Sequence, residues 1–454
     1  MGAHLIDSVL YGHLWATPEL RARFEDRGRV AAWLDILAAL AEAQAGLGLV
    51  PEAAARAIRE GARVEALDLD RVAAETRATG HSTLGLIRCL REVLPELARE
   101  WVYWGATVQD LSDTWTSLLL RQVGDVVDRD LARAERAALE LAARHRDTLM
   151  SGRTHGQPGL PTTFGLKAAV WASELGRHRD RLAEGRRRWE VVQLGGALGT
   201  MEFWGGQALP LLEAFAERLG LGVPDAPWIT ARDRVAEATG LLAMVAATLG
   251  KIGNEVYQLQ RPEIGELREA FTPGQVGSIT MPHKRNPELS EHLVTLARLV
   301  RAQAGVTLEG MVHEHERDGR AWKAEWVAVP EACLLTGAAL AFGVRLLEGL
   351  EVDAVRMRAN LEARGGYLAS EPVMRALGER VGKHTAQALV YRATMAGIER
   401  GVDLRAALAA DPEVAAGLDE AELDRLLEPA EALGAAGAFV DRVLAAPRRP
   451  ERGP

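Results

Sequence analysis

Cysteine is almost missing from this chain: Cys89 and Cys333 are the only two, and neither stands in a Cys-x-x-Cys or Cys/His spacing. That excludes a disulfide framework or a thiolate zinc site as the source of stability, and it fits a reducing, cytoplasmic setting. Long basic runs are missing as well. With a net charge of -9 and a pI near 5.8, the chain offers no electrostatic footprint for nucleic acid or an anionic membrane. The opening residues, Met1-Gly-Ala-His-Leu-Ile-Asp7, lack the basic flank and apolar core of a secretory signal. Apolar stretches such as residues 240–250 fall short of the roughly 20 residues that span a bilayer, so no membrane partner is expected. Alternating β-branched patterns are nearly absent, so sheet is not expected to build the core.

What is present is a globular balance, with 48% hydrophobic and 26% charged residues over 454 positions, a length that suggests about three domains. Proline placement organises it, because proline inside a helix removes a hydrogen bond and clashes with the preceding turn. None occurs from residue 109 to 157, where Leu118, Leu119, Val123, Val126, Val127 and Leu131 recur at helical spacing. This predicts one helix of about 40 residues, roughly 60 Å long. Similar stretches cover 163–189, 232–260, 287–312 and 332–350. The fold class is therefore all-α, with a central bundle of five long helices at 107–350. An N-terminal helical domain at 1–106 contains a helix near 29–47. A C-terminal helical domain follows at 351–454, with turns near Gly365-Gly366 and Gly382 and a frayed tail from Pro447. Helices so much longer than the usual 11 to 12 residues need partners on their outer faces, which points to a homo-oligomer.

The segment richest in chemistry runs Gly277-Ser-Ile-Thr-Met-Pro-His-Lys-Arg-Asn-Pro-Glu-Leu-Ser-Glu291. Pro287 suits a first helical position with Asn286 as its cap, and Leu289, Leu293, Leu296 and Val300 continue with helical period. A helix N-terminus presents unpaired N–H groups and partial positive charge. With Lys284 and Asn286 beside it, it makes a site for a carboxylate. The plain alternative is a capped helix preceded by a solvated loop. His155 follows Thr154 between two long helical stretches, where a side chain can face a cleft, and imidazole can donate a proton near neutral pH.

This segment resembles the GSSxMPxKxN signature of the fumarase/aspartase superfamily. Trp104-Gly-Ala-Thr-Val-Gln-Asp110 resembles the family's GATSQD segment, and Gly152-Arg-Thr-His-Gly-Gln-Pro158 its GRTHGQP segment. The resemblance spans nearly the whole chain. It implies a homotetramer with a twenty-helix core, active sites shared by three subunits, a small dicarboxylate substrate and no cofactor or metal. It implies Ser278 as general base on a loop that closes over substrate, His155 as general acid, and Glu291 as the carboxylate that orients His155. Lys284, Asn286 and Thr107 match carboxylate-binding positions. Fixed donors there would stabilise the aci-carboxylate dianion left when a proton is removed. Thr154, Gln157, Met281 and Arg317 match substrate-side positions, and His81, in Thr79-Gly-His-Ser-Thr-Leu84, does so more weakly. Gln193, Arg232 and Arg234 fall where relatives carry substrate-side or packing residues.

The implied reaction is β-elimination from an N- or O-substituted succinate, releasing fumarate. The alternative is lactonisation of carboxymuconate. A third outcome is a silent structural protein of the kind this fold supplies to the lens, although Ser278 and His155 are both retained. Two positions depart from the family pattern: Val108 and Ile279 each replace a hydroxyl, which makes the pocket more apolar. His315-Glu-Arg-Asp-Gly-Arg-Ala-Trp-Lys-Ala-Glu-Trp326 resembles the 3-carboxy-cis,cis-muconate cycloisomerase branch. Adenylosuccinate lyases carry phosphate-binding serines and an arginine in that stretch.

Overall fold

The computed structural model describes residues 4–271 and 274–450. It is all-α as expected: 69% of the chain is helix, and the few short strands add little beyond Met150 and Leu267 to the core. Five long helices form the centre: α1 (Val108–Arg144), α2 (Phe164–Trp189), α3 (Asp233–Gln260), α4 (Glu288–Glu309) and α5 (Gly319–Glu348). The 37 residues of α1 extend about 55 Å at 1.5 Å per residue. Its apolar stripe, Leu119, Val123, Val127 and Leu131, packs into one core with Val245 and Leu249 of α3, Leu296 and Val300 of α4, and Leu335 and Leu340 of α5. Small residues let the axes approach. A Cβ added at Gly250 would stand 2.6 Å from the Cβ of Ala297, so α3 and α4 touch almost backbone to backbone there.

By length and composition alone, α3 and α5 could each cross a membrane. However, 72% and 78% of their most apolar windows are buried within the chain. Their hydrophobicity is that of core helices covered on most sides.

The helix of about 40 residues expected from residue 109 is α1, whose 37 residues stop at Arg144. An antiparallel hairpin that the sequence reading did not include follows it, β1 (Leu149–Thr154) paired with β2 (Gln157–Thr163). The helices differ from expectation at two places. Pro330 does not precede a helix but lies inside α5, where its missing N–H is tolerated within a helix packed along most of its length. Finally, α4 begins at Glu288, with Pro287 in the capping position, and the side chain of Asn286 does not cap it.

Two further cores flank the bundle. One gathers Leu34, Leu37, Ile58, Leu90 and Phe215 around the Asp26–Gly46 helix. The other gathers Val373, Leu377, Leu404 and Leu408.

Arg232, just before α3, is fully buried. Its guanidinium donates to Asp113 of α1 at 2.7 and 3.1 Å and to Glu325 of α5 at 2.9 and 2.5 Å. Trp322 Nε1 donates to the same Asp113 carboxylate at 3.3 Å. Arg232 is thus a packing residue. So are Gln193, whose Oε1 accepts from the Trp228 N–H at 3.2 Å, and Arg234, which reaches Asp225 at 3.2 Å.

Candidate active site

Three segments carry the candidate residues, and each is held by a different device. The first is the start of α1. Thr107 is its N-cap, and the Thr107 N–H donates to Asp110 Oδ2 at 2.9 Å, the side-chain arm of a capping box. Asp110 is buried and also accepts from the N–H groups of Gly195 at 2.7 Å and Gly196 at 3.1 Å. Burial pushes its carboxyl up to about 7, against those three backbone donors. Arg317 closes the group: Nη1 donates to Thr107 Oγ1 at 3.0 Å, and Nη2 donates to the carbonyls of Gly196 and Ala197. Because Thr107 Oγ1 accepts from Arg317, its own proton remains available to an incoming acceptor. Arg317 Nε has no partner among the described residues.

Tyr103 joins this cluster. It pairs with Thr83 and feels both Asp110 and Arg317, and burial raises its phenol pKa. His81 is exposed, with Nδ1 3.3 Å from the Thr83 N–H. The structure therefore links Thr107, Arg317 and His81, through Tyr103 and Thr83, into one neighbourhood.

The second segment is the hairpin tip. Thr154 pairs with Gln157, and the two residues between them, His155 and Gly156, both have positive φ, 52° and 76°. That is the signature of a two-residue I′ turn, which glycine accepts freely and histidine better than most. The turn presents His155, Thr154 and Gln157 as exposed side chains. Its base is fixed by Arg153, which forms a bidentate pair with the buried Glu266 at 2.9 and 2.6 Å. Asn360 adds a bond to the same carboxylate at 2.8 Å.

The third segment is the loop before α4. Ser278 Oγ accepts from the Met281 N–H at 3.1 Å, and Met281 O accepts from the Lys284 N–H at 2.9 Å, so the loop folds back on itself. Met281, Lys284 and Glu291 are exposed and Asn286 is half-buried. Gln260, at the end of α3, anchors both sides: Oε1 accepts from the Glu269 N–H at 2.8 Å and Nε2 donates to Arg285 O at 3.4 Å. Glu269 caps α4, accepting from the N–H groups of Leu289 and Ser290. The helix tip is thus neutralised by an acidic side chain from upstream rather than left bare.

Within one chain, no hydrogen bond or ion pair among the described residues joins His155, Ser278 and Glu291. Among the described residues, three of the four non-glycine residues with positive φ, Tyr103, His155 and His315, sit in or next to these segments. Such backbone strain concentrates at functional sites. Sequence reading missed Asp110, Tyr103 and Glu269. Asp110 was readable in principle, three places after Thr107 as a capping box requires. Glu269 was not, since it lies about 20 residues before the helix it caps.

The chain as a whole is similar to known enzymes. A family model described as Lyase matches residues 14–302, and one described as Adenylosuccinate lyase C-terminus matches 366–443. N-acetyl-S-(2-succino)cysteine lyase of Dickeya dadantii is 41% identical over 444 residues, covering 98% of each chain. The 3-carboxy-cis,cis-muconate cycloisomerase of Pseudomonas aeruginosa is 42% identical over 439 residues, 96% of each. Nitrosuccinate lyase of Streptomyces davaonensis is 41% identical over 458 residues, covering 98% of this chain and 96% of the relative. The crystal structure of the 3-carboxy-cis,cis-muconate lactonizing enzyme from Pseudomonas putida superposes with a TM-score of 0.89 at 38% identity, covering 96% of this chain and 98% of that one. Fold and relatives together define an enzyme built on a lyase scaffold. The chain belongs to the fumarase/aspartase superfamily, as a lyase or a related cycloisomerase.

Proposed function

We propose that this enzyme removes a proton and a leaving group from a 2-substituted succinate and releases fumarate. Ser278 serves as base and His155 as acid, oriented by Glu291. The observation that carries this reading is the Thr107–Arg317 pair at the start of α1. There, a hydroxyl proton and a guanidinium N–H remain unspent at a helix N-terminus, a setting made for a carboxylate. Lys284 and Asn286 take the second carboxylate, where charge builds as the proton leaves. Thr154, Gln157, Met281 and His81 line the substrate. Closure of the 277–286 loop brings Ser278 over it and excludes water. The relatives named N-acetyl-S-(2-succino)cysteine lyase widen the leaving atom from nitrogen or oxygen to sulfur.

The working assembly is a homotetramer in which three subunits complete each site. Two observations support it: among the described residues no hydrogen bond or ion pair joins the three segments within one chain, and the bundle helices expose large apolar side chains. These include Met244 and Tyr257 on α3, Leu299 and Val306 on α4, and Val327 on α5.

The second reading, carboxymuconate cycloisomerisation, draws on the 42% identity to the Pseudomonas aeruginosa enzyme and on the Ala321-Trp322-Lys323-Ala324-Glu325-Trp326 stretch. Both reactions use an acid, a base and two carboxylate pockets. A panel of N-acetyl-S-(2-succino)cysteine, nitrosuccinate, adenylosuccinate, argininosuccinate and carboxymuconate, followed at the ultraviolet absorbance of fumarate or carboxymuconate, separates them. Fumarate from one succinate, lost on the order of 1000-fold in Ser278→Ala, is the expected result. Turnover of carboxymuconate alone would favour the second reading, and an unaffected Ser278→Ala would remove the serine from the mechanism.

A further inference from the structure

Beside the Asp26–Gly46 helix, α1 and α5 enclose a cavity of about 240 Å³ whose walls are chiefly Trp33, Trp115, Leu119, Trp322, Trp326 and Val329. Arg29 reaches into it. Its guanidinium lies over the Trp115 ring, 4.8 Å from the centroid. Among the described residues no carboxylate pairs with it: Asp26 acts on it only through space. Arg29 Nε and Trp33 Nε1 are both buried without a hydrogen-bond partner.

Several other polar groups of the wall are already engaged. Both Glu325 oxygens are taken by Arg232. The hydroxyls of Ser112, Thr116 and Thr76 donate to the helix carbonyls of Val108, Ser112 and Val72. The cavity thus offers one unneutralised cation and two unspent N–H groups, set in aromatic and aliphatic walls, with no uncommitted carboxylate. Burying an unpaired charge is costly, and here burial lowers the pKa of the Arg29 guanidinium. Nearby, the same fold neutralises Arg232 with two carboxylates, so leaving Arg29 unmatched is not forced by the architecture.

From this we infer that the cavity is a binding pocket for a small organic monoanion with a flat, apolar body. The carboxylate would meet Arg29 and Trp33 Nε1, and the ring would stack among the tryptophans. A cation would find no uncommitted carboxylate there. The volume suits one substituted ring: it exceeds the roughly 150 Å³ that accommodates benzene and falls below the ~300 Å³ at which drug-sized sites begin. Trp326 is 43% exposed and marks the mouth. The pocket starts at Ser112, about 7 Å along α1 from Thr107, and the inference stands whether or not the enzyme releases fumarate.

Benzoate and its neutral counterpart benzyl alcohol are the probes, titrated calorimetrically into the full chain. Benzoate is expected to bind saturably and at least about tenfold more tightly than benzyl alcohol, the margin of one charge-assisted contact. Arg29→Met is expected to abolish that margin. Ser112→Leu, which fills the cavity from the α1 wall, is expected to remove binding of both probes and supplies the test should Arg29→Met fail to fold. Equal affinity for the two probes, no binding of benzoate, or benzoate binding unchanged in either variant would overturn the assignment.

Discussion

Glu269 and Ser290 are joined across 21 positions of sequence: the carboxylate accepts from the Ser290 N–H at 2.7 Å and, through its other oxygen, from the Leu289 N–H at 3.0 Å. This caps α4 from outside and places Lys284 and Asn286 just ahead of a fixed helix end. Glu269→Ala should cost about 1–2 kcal/mol in urea unfolding, the usual worth of a cap. It should lower kcat more than that loss suggests, because the carboxylate-binding residues lose their register. Unchanged kcat alongside the stability loss would mean the cap serves folding only.

Gly277 is required by the loop itself. A Cβ there would press into the carbonyl of Lys284 and stand 2.9 Å from Arg285 Cα, both backbone atoms that cannot swing aside. Gly277→Ala should therefore displace the loop carrying Ser278, reducing kcat by roughly 10- to 100-fold, since a misplacement near 1 Å can cost that much. The melting temperature should stay close to that of the parent, because the segment buries little. A variant with parental kcat would show that the loop geometry is not the working one.

His155 stands at the hairpin tip, where substitution disturbs no packing. His155→Asn should lower turnover on the order of 100-fold or more, with the smallest loss on substrates whose leaving groups depart without a proton. Comparing a poor and a good leaving group on the same succinate decides the matter. Equal losses would take His155 out of the acid role.

Asp110 predicts a pH dependence. Its carboxyl, enclosed beneath Thr107, has its pKa raised by burial from an ordinary 3.8 to about 7. Across that interval the folded chain keeps a proton that the unfolded chain has released. The contribution to stability is therefore fully present below about pH 4 and is lost as pH rises through about 7. Urea midpoints should fall for this reason between pH 5 and pH 8, and Asp110→Asn should flatten that part of the slope. Parallel slopes in the two proteins would refute it.

The long helices were legible because proline-free apolar periodicity is a local signal summed over many turns. Where local signals were weak or competed, the reading failed. The β1–β2 hairpin went unread because its strands contain Gly152, Pro158 and Pro161 and show no clean alternation. Its one clear mark was His155-Gly156, a pair suited to positive φ. Pro330 marked a boundary by rule, yet tertiary packing kept α5 continuous through it. In the site, the motif residues were visible, whereas their supports were not. Glu269, Glu266 and the backbone of Gly195 and Gly196 act across distances in sequence that no spacing rule spans.

The contact of Arg232 with Asp113 and Glu325 has a bearing on how the molecule comes apart. Sliding any one of three helices by a single turn would strand a full charge in hydrocarbon, so partial disengagement is dearer than complete disengagement. The bundle should melt as one cooperative block, with no stable half-open form.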